Sequence, residues 1–172
     1  VSERRAHMGM SVTISVATEQ DAEQIFKLQY LSFQSEAALY GNYRIDPLVQ
    51  TLDSVRQEVA ADCVFVARLG EEVVGSVRGR VTEDGSAAIG KLCVHPRLQG
   101  HGIGARLLRA AEAALVEERG ATRFRLYTGH RSEGNLRLYR RVGYETVGTS
   151  QGADGVPMIV LEKKAEAYAT TA

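Results

Sequence analysis

The sequence is short of the features that staple, anchor or overcharge a protein. Its 172 residues hold only two cysteines, Cys63 and Cys93. Both sit in apolar, strand-like runs, so they read as small buried hydrophobes rather than as a disulfide pair. No Cys/His spacing matches a zinc site, and no metal is expected. No apolar run approaches the ~18 residues that a membrane span needs. The polar N-terminus does not look like a signal peptide, so the expectation is a cytoplasmic protein with no membrane partner. Net charge is lacking as well, since 21 basic residues face 21 acidic ones. That balance excludes nucleic-acid binding by bulk charge. One local concentration stands out: Arg123, Arg125, Arg131, Arg137, Arg140 and Arg141. It reads either as solvated faces or as an anion site.

What is present is ordinary for a globular chain: 44% apolar and 24% charged residues, enough for one domain with a full core. Residues 1–10 read as a disordered lead-in, with Met8 and Met10 as candidate natural starts. Residues 11–163 read as the domain, and 164–172 as a C-terminal tail. Val12 to Ala17 alternates apolar and polar, which predicts a half-buried strand. Thr18 is an N-cap for a helix whose Ala22, Ile25, Phe26 and Phe33 recur at helical spacing. Glu36 to Pro47 reads as a helix end plus an aromatic loop, and Asp53 to Ala61 as a second helix. Val64 to Leu69 and Val73 to Val81 form a hairpin around Gly70-Glu71-Glu72. Ala87 to Val94 is the next strand. Ile103 to Arg119 is a helix with a stripe of Ile103, Leu107, Leu108, Ala111 and Leu115, ended by Gly120. Phe124 to Thr128 (strand), Glu133 to Arg141 (helix), Tyr144 to Thr149 and Met158 to Leu161 (strands) complete the order β-α-α-β-β-β-α-β-α-β-β. The fold class is a mixed α/β or α+β sheet protein.

The most informative stretch is Gln99-Gly100-His101-Gly102-Ile103-Gly104-Ala105. It lies between a strand and a helix start, where free backbone N–H groups and the helix dipole favour phosphate. Three phosphate loops compete. A P-loop needs Gly-Lys-Ser/Thr, which Gly104-Ala105-Arg106 does not supply. The dinucleotide fingerprint matches formally as Gly100-x-Gly102-x-x-Ala105. However, His95 to Gln99 intervene after the strand, and no acid lies near Phe124 to Leu126 for a ribose.

The third loop fits in more than one place. Gln99-x-x-Gly102-x-Gly104, preceded by Val94-His95-Pro96, resembles the acetyl-CoA pyrophosphate loop of the GNAT family of N-acetyltransferases. Asn135-x-x-x-Tyr139-x-x-x-Gly143-Tyr144 is similar to the family's second signature, and the resemblance spans roughly residues 12 to 162. It implies a single domain with a mixed, mostly antiparallel central sheet and a splayed pair of strands. It also implies acetyl-CoA as acyl donor, direct transfer to a primary amine through a ternary complex, and a homodimer. By the same resemblance the backbone from Gly100 through His101, Gly102, Ile103 and Gly104 to Ala105 holds the pyrophosphate, with Gln99 shaping the loop. Leu92, Cys93 and Val94 pair with the pantetheine arm, Asn135 hydrogen-bonds it, and an N–H near Val94 polarises the thioester. Tyr139 is the general acid for the departing thiolate.

The acceptor pocket is expected from Phe33, Glu36, Tyr40 and Tyr43, from Arg78, and from the loop Gln151 to Pro157. The acceptor itself, a small-molecule or peptide amine, stays open. Many family members carry a glutamate on the strand before the glycine loop, but Ala87-Ala88-Ile89-Gly90-Lys91 has no acid. Glu36, Tyr40 or a water relay is therefore the base. His95 reads as structural and His130 as lying near the cleft end of a strand. A Cys93–His acyl-enzyme is not needed for direct transfer. The rival class is a non-catalytic acyl-CoA-binding or regulatory domain. A nucleotide-binding oxidoreductase is a second rival.

Overall fold

The computed structural model describes residues 11–152 and 155–165. The expected lead-in 1–10, most of the expected tail and the middle of the Gly152–Gly155 turn lie outside the described residues. The element order is β1 (Val12–Val16), α1 (Ala22–Ser32), α2 (Gln34–Tyr40), α3 (Asp46–Val49), α4 (Leu52–Ala61), β2 (Cys63–Leu69), β3 (Glu72–Val81), β4 (Ser86–Val94), α5 (Ile103–Arg119), β5 (Arg123–Gly129), α6 (Glu133–Arg141), β6 (Glu145–Gln151) and β7 (Pro157–Lys164). Single 3-10 turns, Glu19–Asp21 and Pro96–Leu98, precede α1 and follow β4. The seven strands make one sheet in the order β1-β2-β3-β4-β5-β7-β6. Only β4 and β5 run parallel. The fold class is thus a single mixed, mostly antiparallel α/β sheet domain.

Two expectations change in detail. Glu36 to Pro47 is not a helix end plus loop: α2 is a separate helix and α3 a further turn. Phe33, at φ −89° and ψ 3°, breaks α1 from α2, and Gly41 in the left-handed region ends α2. The last strand also runs over Pro157–Lys164, longer than the expected Met158 to Leu161.

The core lies on both faces of the sheet. On one face α5 buries Leu107, Leu108, Ala111 and Leu115 among Val77, Ile89, Phe124 and Leu126. Two glycines let it approach: a Cβ on Gly75 would stand 2.9 Å from Leu107 Cδ1, and one on Gly79 2.7 Å from Leu115 Cδ1. On the other face α1 packs Ala22, Ile25 and Leu28 against Val64, Val66 and Val73, with Val55 of α4. Asp21 caps the entry to α1: its carboxylate accepts from Thr18 N–H and from both terminal nitrogens of Arg68.

Two irregularities shape the middle of the sheet. The β3–β4 register shifts between Ser76 and Arg78. Opposite that shift Lys91 adopts φ +50°, among the described residues the one non-glycine in the left-handed region. A bulge of this kind bends a strand and turns its side chains. The Lys91 ammonium is held by Glu58 of α4 at 2.8 Å and Asp46 of α3 at 2.9 Å. The second irregularity is that β4 pairs with β5 only over Ser86–Ala88 and Arg123–Arg125. Beyond that the strands part, and a cleft opens between their C-terminal ends.

Candidate active site

The cleft has a volume of about 1280 Å³. Typical small-ligand pockets reach roughly 1,000 Å³, so there is room for an elongated ligand and a second molecule. Its floor is Leu92, Cys93 and Val94, the end of β4. One end is Gln99, Gly100, Gly102, Ile103, Gly104 and Ala105. One wall is the α1–α2 corner with Ser32, Phe33, Ser35, Glu36 and Leu39, and the other is the start of α6 with Ser132, Asn135 and Leu138. Most of the expected site residues therefore meet in one place.

The glycine loop is built as a donor site. Gly100 and Gly102 take φ +84° and +78°, where a side chain would be strained. A Cβ on either would meet nothing within 4 Å, so these glycines serve backbone direction rather than packing. Gly102 is the N-cap of α5, and Arg106 N–H is the first to return to it. The N–H groups of Ile103, Gly104 and Ala105 therefore have no helical partner. Ile103 is buried and anchors the turn. Gly104 sits under α6, where a Cβ would be 3.1 Å from Leu138 Cδ2. Gln99 ties the loop to β4 through Nε2 and the Val94 carbonyl at 3.4 Å. His101 is exposed within the loop. His95 accepts from Arg97 N–H and caps the 3-10 turn. Arg137, Arg140 and Arg141 of α6 line the same cleft, so part of the arginine concentration shares the cleft with the glycine loop.

The strand edge is available as well. His95 N–H donates to Val74 O across the β3–β4 pair. The alternation of an antiparallel ladder then turns the N–H and C=O of Val94 to the opposite edge, toward the gap before β5. Nothing of β5 pairs there.

Cys93 lines the floor, but burial pushes its thiol up to about 12, against which the charge of Arg78 works only partly. It is a neutral thiol at physiological pH and a poor nucleophile. Tyr139, on the inner side of α6, is 6% exposed and packs edge-on to Tyr144 with ring centroids 6.2 Å apart. It stands behind the residues that line the cleft. Burial, and secondly the negative charge of Glu36, hold its hydroxyl above the ordinary phenol range. Asn135 lines the cleft with its amide 3.5 Å from Thr128 Oγ1.

The remaining acceptor-side residues separate. Glu36 accepts a 2.7 Å hydrogen bond from Ser132 Oγ, and Tyr40 Oη lies 2.8 Å from the same oxygen. Ser132 carried no signal in the sequence beyond a helix-start position. Tyr43 is exposed on the turn after α2, outside the cleft lining. Arg78 is 5% exposed and is paired with Glu58 at 2.7 Å and with Gln29 Oε1 at 2.9 Å. Burial lowers its pKa, and Glu58 opposes that shift. It braces α1 and α4 against β3 and does not line the cleft. His130 reaches the Pro157 carbonyl at 3.2 Å and lies 6.0 Å, ring to ring, from Tyr40. Among the described residues there is no group of three or more His, Cys, Asp or Glu poised for a metal. Nor is any helix among them long and apolar enough to cross a membrane.

Known structures share this fold. The chain is similar in structure to the PaiA N-acetyltransferase of Thermoplasma acidophilum in complex with coenzyme A, with TM-score 0.75, 18% identity, and 90% of this chain and 99% of that one covered. It is similar to YncA, a putative acetyltransferase of Salmonella typhimurium with acetyl-CoA, at TM-score 0.71, 18% identity and coverage of 90% and 94%. The aminoglycoside acetyltransferase AAC(6')-Ib with coenzyme A gives TM-score 0.69, 23% identity and coverage of 94% and 99%. No curated protein sequence matches the chain. The model of the acetyltransferase (GNAT) family matches residues 22–144, from the first turn of α1 to the tyrosine after α6. Glycine loop, splayed strands and the Asn135–Tyr144 segment all fall inside that match, and the chain belongs to the GNAT acetyltransferase family.

Proposed function

We propose that the protein transfers an acetyl group from acetyl-CoA to a primary amine by direct attack in a ternary complex. The observation that carries this reading is one continuous path. It begins at the left-handed glycine loop, follows the edge of β4 that β5 leaves open, and ends at Glu36 on the α1–α2 corner, with Tyr139 behind the opposite wall. The donor set suits acetyl-CoA. The N–H groups of Gly100 to Ala105 suit its pyrophosphate, with Gln99 fixing the loop and the α6 arginines adding positive charge. The edge that β5 leaves open at Leu92 and Val94, where Gln99 reaches the Val94 carbonyl, suits two amides in an extended arm, and Asn135 a third polar contact. The thioester it brings is the electrophile.

The chain's own groups then handle protons and charge. The Val94 N–H is aimed where an oxyanion would form. Glu36 is the base that takes a proton from the acceptor ammonium, whose pKa of about 10 otherwise keeps it charged. A nitrogen–carbon bond forms and the carbon–sulfur bond breaks. Tyr139 gives its proton to the sulfur and recovers one from the new amide nitrogen. The nitrogen thus loses two protons, one through Glu36 to solvent and one by way of Tyr139 to the thiol. Phe33 and Leu39 supply apolar walls at the acceptor end.

A thiol-release assay against a panel of amines (free lysine, a polyamine, an aminoglycoside, a short peptide) tests the reading. Amine-dependent release supports it. Binding of acetyl-CoA without release for any amine replaces it with the non-catalytic acyl-CoA-binding domain, for which the acid-free strand Ala87–Lys91 speaks.

A further inference from the structure

The groups around Glu36 have a fixed order of donation. Arg131 N–H lies 3.0 Å from Tyr40 Oη and can only donate to it. The phenol proton is therefore directed to Ser132 Oγ at 2.8 Å, and the serine proton to Glu36 Oε1 at 2.7 Å. Each hydroxyl has one proton and an ionised carboxylate has none, so no other order satisfies all three contacts. The chain crosses from α2 to the β5–α6 turn, joining residues more than ninety positions apart in sequence. It is set in a prepared seat, for a Cβ on Gly129 would overlap the Tyr40 ring. Ser132 is buried. Arg131 Nη1 adds a longer contact to the Leu39 carbonyl at 3.5 Å.

From this geometry we infer that Ser132 is a positioning residue for Glu36, and that Tyr40, seated on Gly129, aims the Ser132 hydroxyl. One carboxylate oxygen is held by serine, which leaves the other for the acceptor ammonium. Tyr40 spends its proton inside the chain and is not itself the base. The inference rests on the reading of Glu36 as base in the proposed acetyl transfer.

The test compares two nucleophiles. An alkylamine acceptor from the panel needs deprotonation, whereas hydroxylamine is already neutral at pH 7 and needs no base. Ser132→Ala is expected to lower kcat/KM for the alkylamine about 10-fold while the hydroxylamine rate and the affinity for acetyl-CoA stay unchanged. Ser132→Thr, which keeps the hydroxyl, is expected to restore the alkylamine rate, and Tyr40→Phe to fall between. Ser132→Ala equal to the wild type with the alkylamine overturns the inference. So does an equal loss with both nucleophiles, which marks a merely structural role. If Glu36→Gln keeps full alkylamine activity, the base assignment fails and the inference with it. If the wild type acetylates no amine, the proposed function itself fails.

Discussion

At the scale of single residues, the proposed transfer rests on Tyr139 and Glu36. Burial, and secondly the Glu36 charge, hold the Tyr139 hydroxyl above the ordinary phenol range, so in the proposed transfer it enters as a proton donor. Tyr139→Phe is expected to lower kcat by ~10²-fold or more, with the dissociation constant for acetyl-CoA unchanged by calorimetry. Equal loss of binding would mark it as a core residue only. Gly102 carries a second expectation. A side chain there meets open space, so Gly102→Ala adds only backbone strain of about 1 kcal/mol. Gly102→Asp adds a carboxylate at the pyrophosphate and is expected to weaken CoA binding by at least ~10-fold beyond the alanine variant. Calorimetric titration of the two folded variants reads the difference. The glycine loop between β4 and α5, and the short helix that carries Tyr139, were legible in the sequence because their spacing is local. Ser132 was not, since its partners Glu36 and Tyr40 arrive from the far side of the cleft.

At the scale of elements, each regular segment with strong periodicity was legible. The α5 stripe of Ile103, Leu107, Leu108, Ala111 and Leu115 is the buried face that the 3.6-residue period predicts. The α2 helix was hidden, because its seven residues are too short to show a period and its break at Phe33 is a backbone event without glycine or proline. The bulge at Lys91 was hidden too, since lysine is no signal for a left-handed residue. Its cause is tertiary: Glu58 and Asp46 hold the ammonium there. The splay of β4 from β5 was expected from the family resemblance alone and is visible in their short pairing. On the same sheet α5 seats closely over β3. Gly79→Val would drive two extra methyls against Leu115 and is expected to destabilise the fold by about 2–3 kcal/mol, read as a lower urea midpoint at unchanged slope.

At the scale of the whole molecule, the acid limb of stability follows from carboxylates held in ion pairs. Burial works to raise Asp21, but the Arg68 hydrogen bonds and the Thr18 N–H outweigh it and leave it lowered. Burial likewise opposes, and Lys91 and Arg78 overcome, the shift of Glu58, which is also lowered. A lowered folded-state pKa stabilises the fold above the unfolded value and is lost as pH falls through the folded one. Asp62 works the other way, since burial raises it. Asp84, exposed and held down to about 2 by hydrogen bonds from Thr82 and the Ser86 N–H, is a third lowered group. Three lowered groups against one raised predict a thermal midpoint that declines as pH drops from about 5 toward 2, with Asp21→Asn flattening part of that decline. The proposed transfer brings donor and acceptor together in one cleft. With Cys93 a neutral buried thiol at about 12, no side chain on the floor of the cleft is suited to carry the acetyl group between two half-reactions. Initial-velocity kinetics with acetyl-CoA and the amine both varied test this most directly. Direct transfer predicts double-reciprocal lines that intersect, and parallel lines with an acetylated enzyme would contradict it.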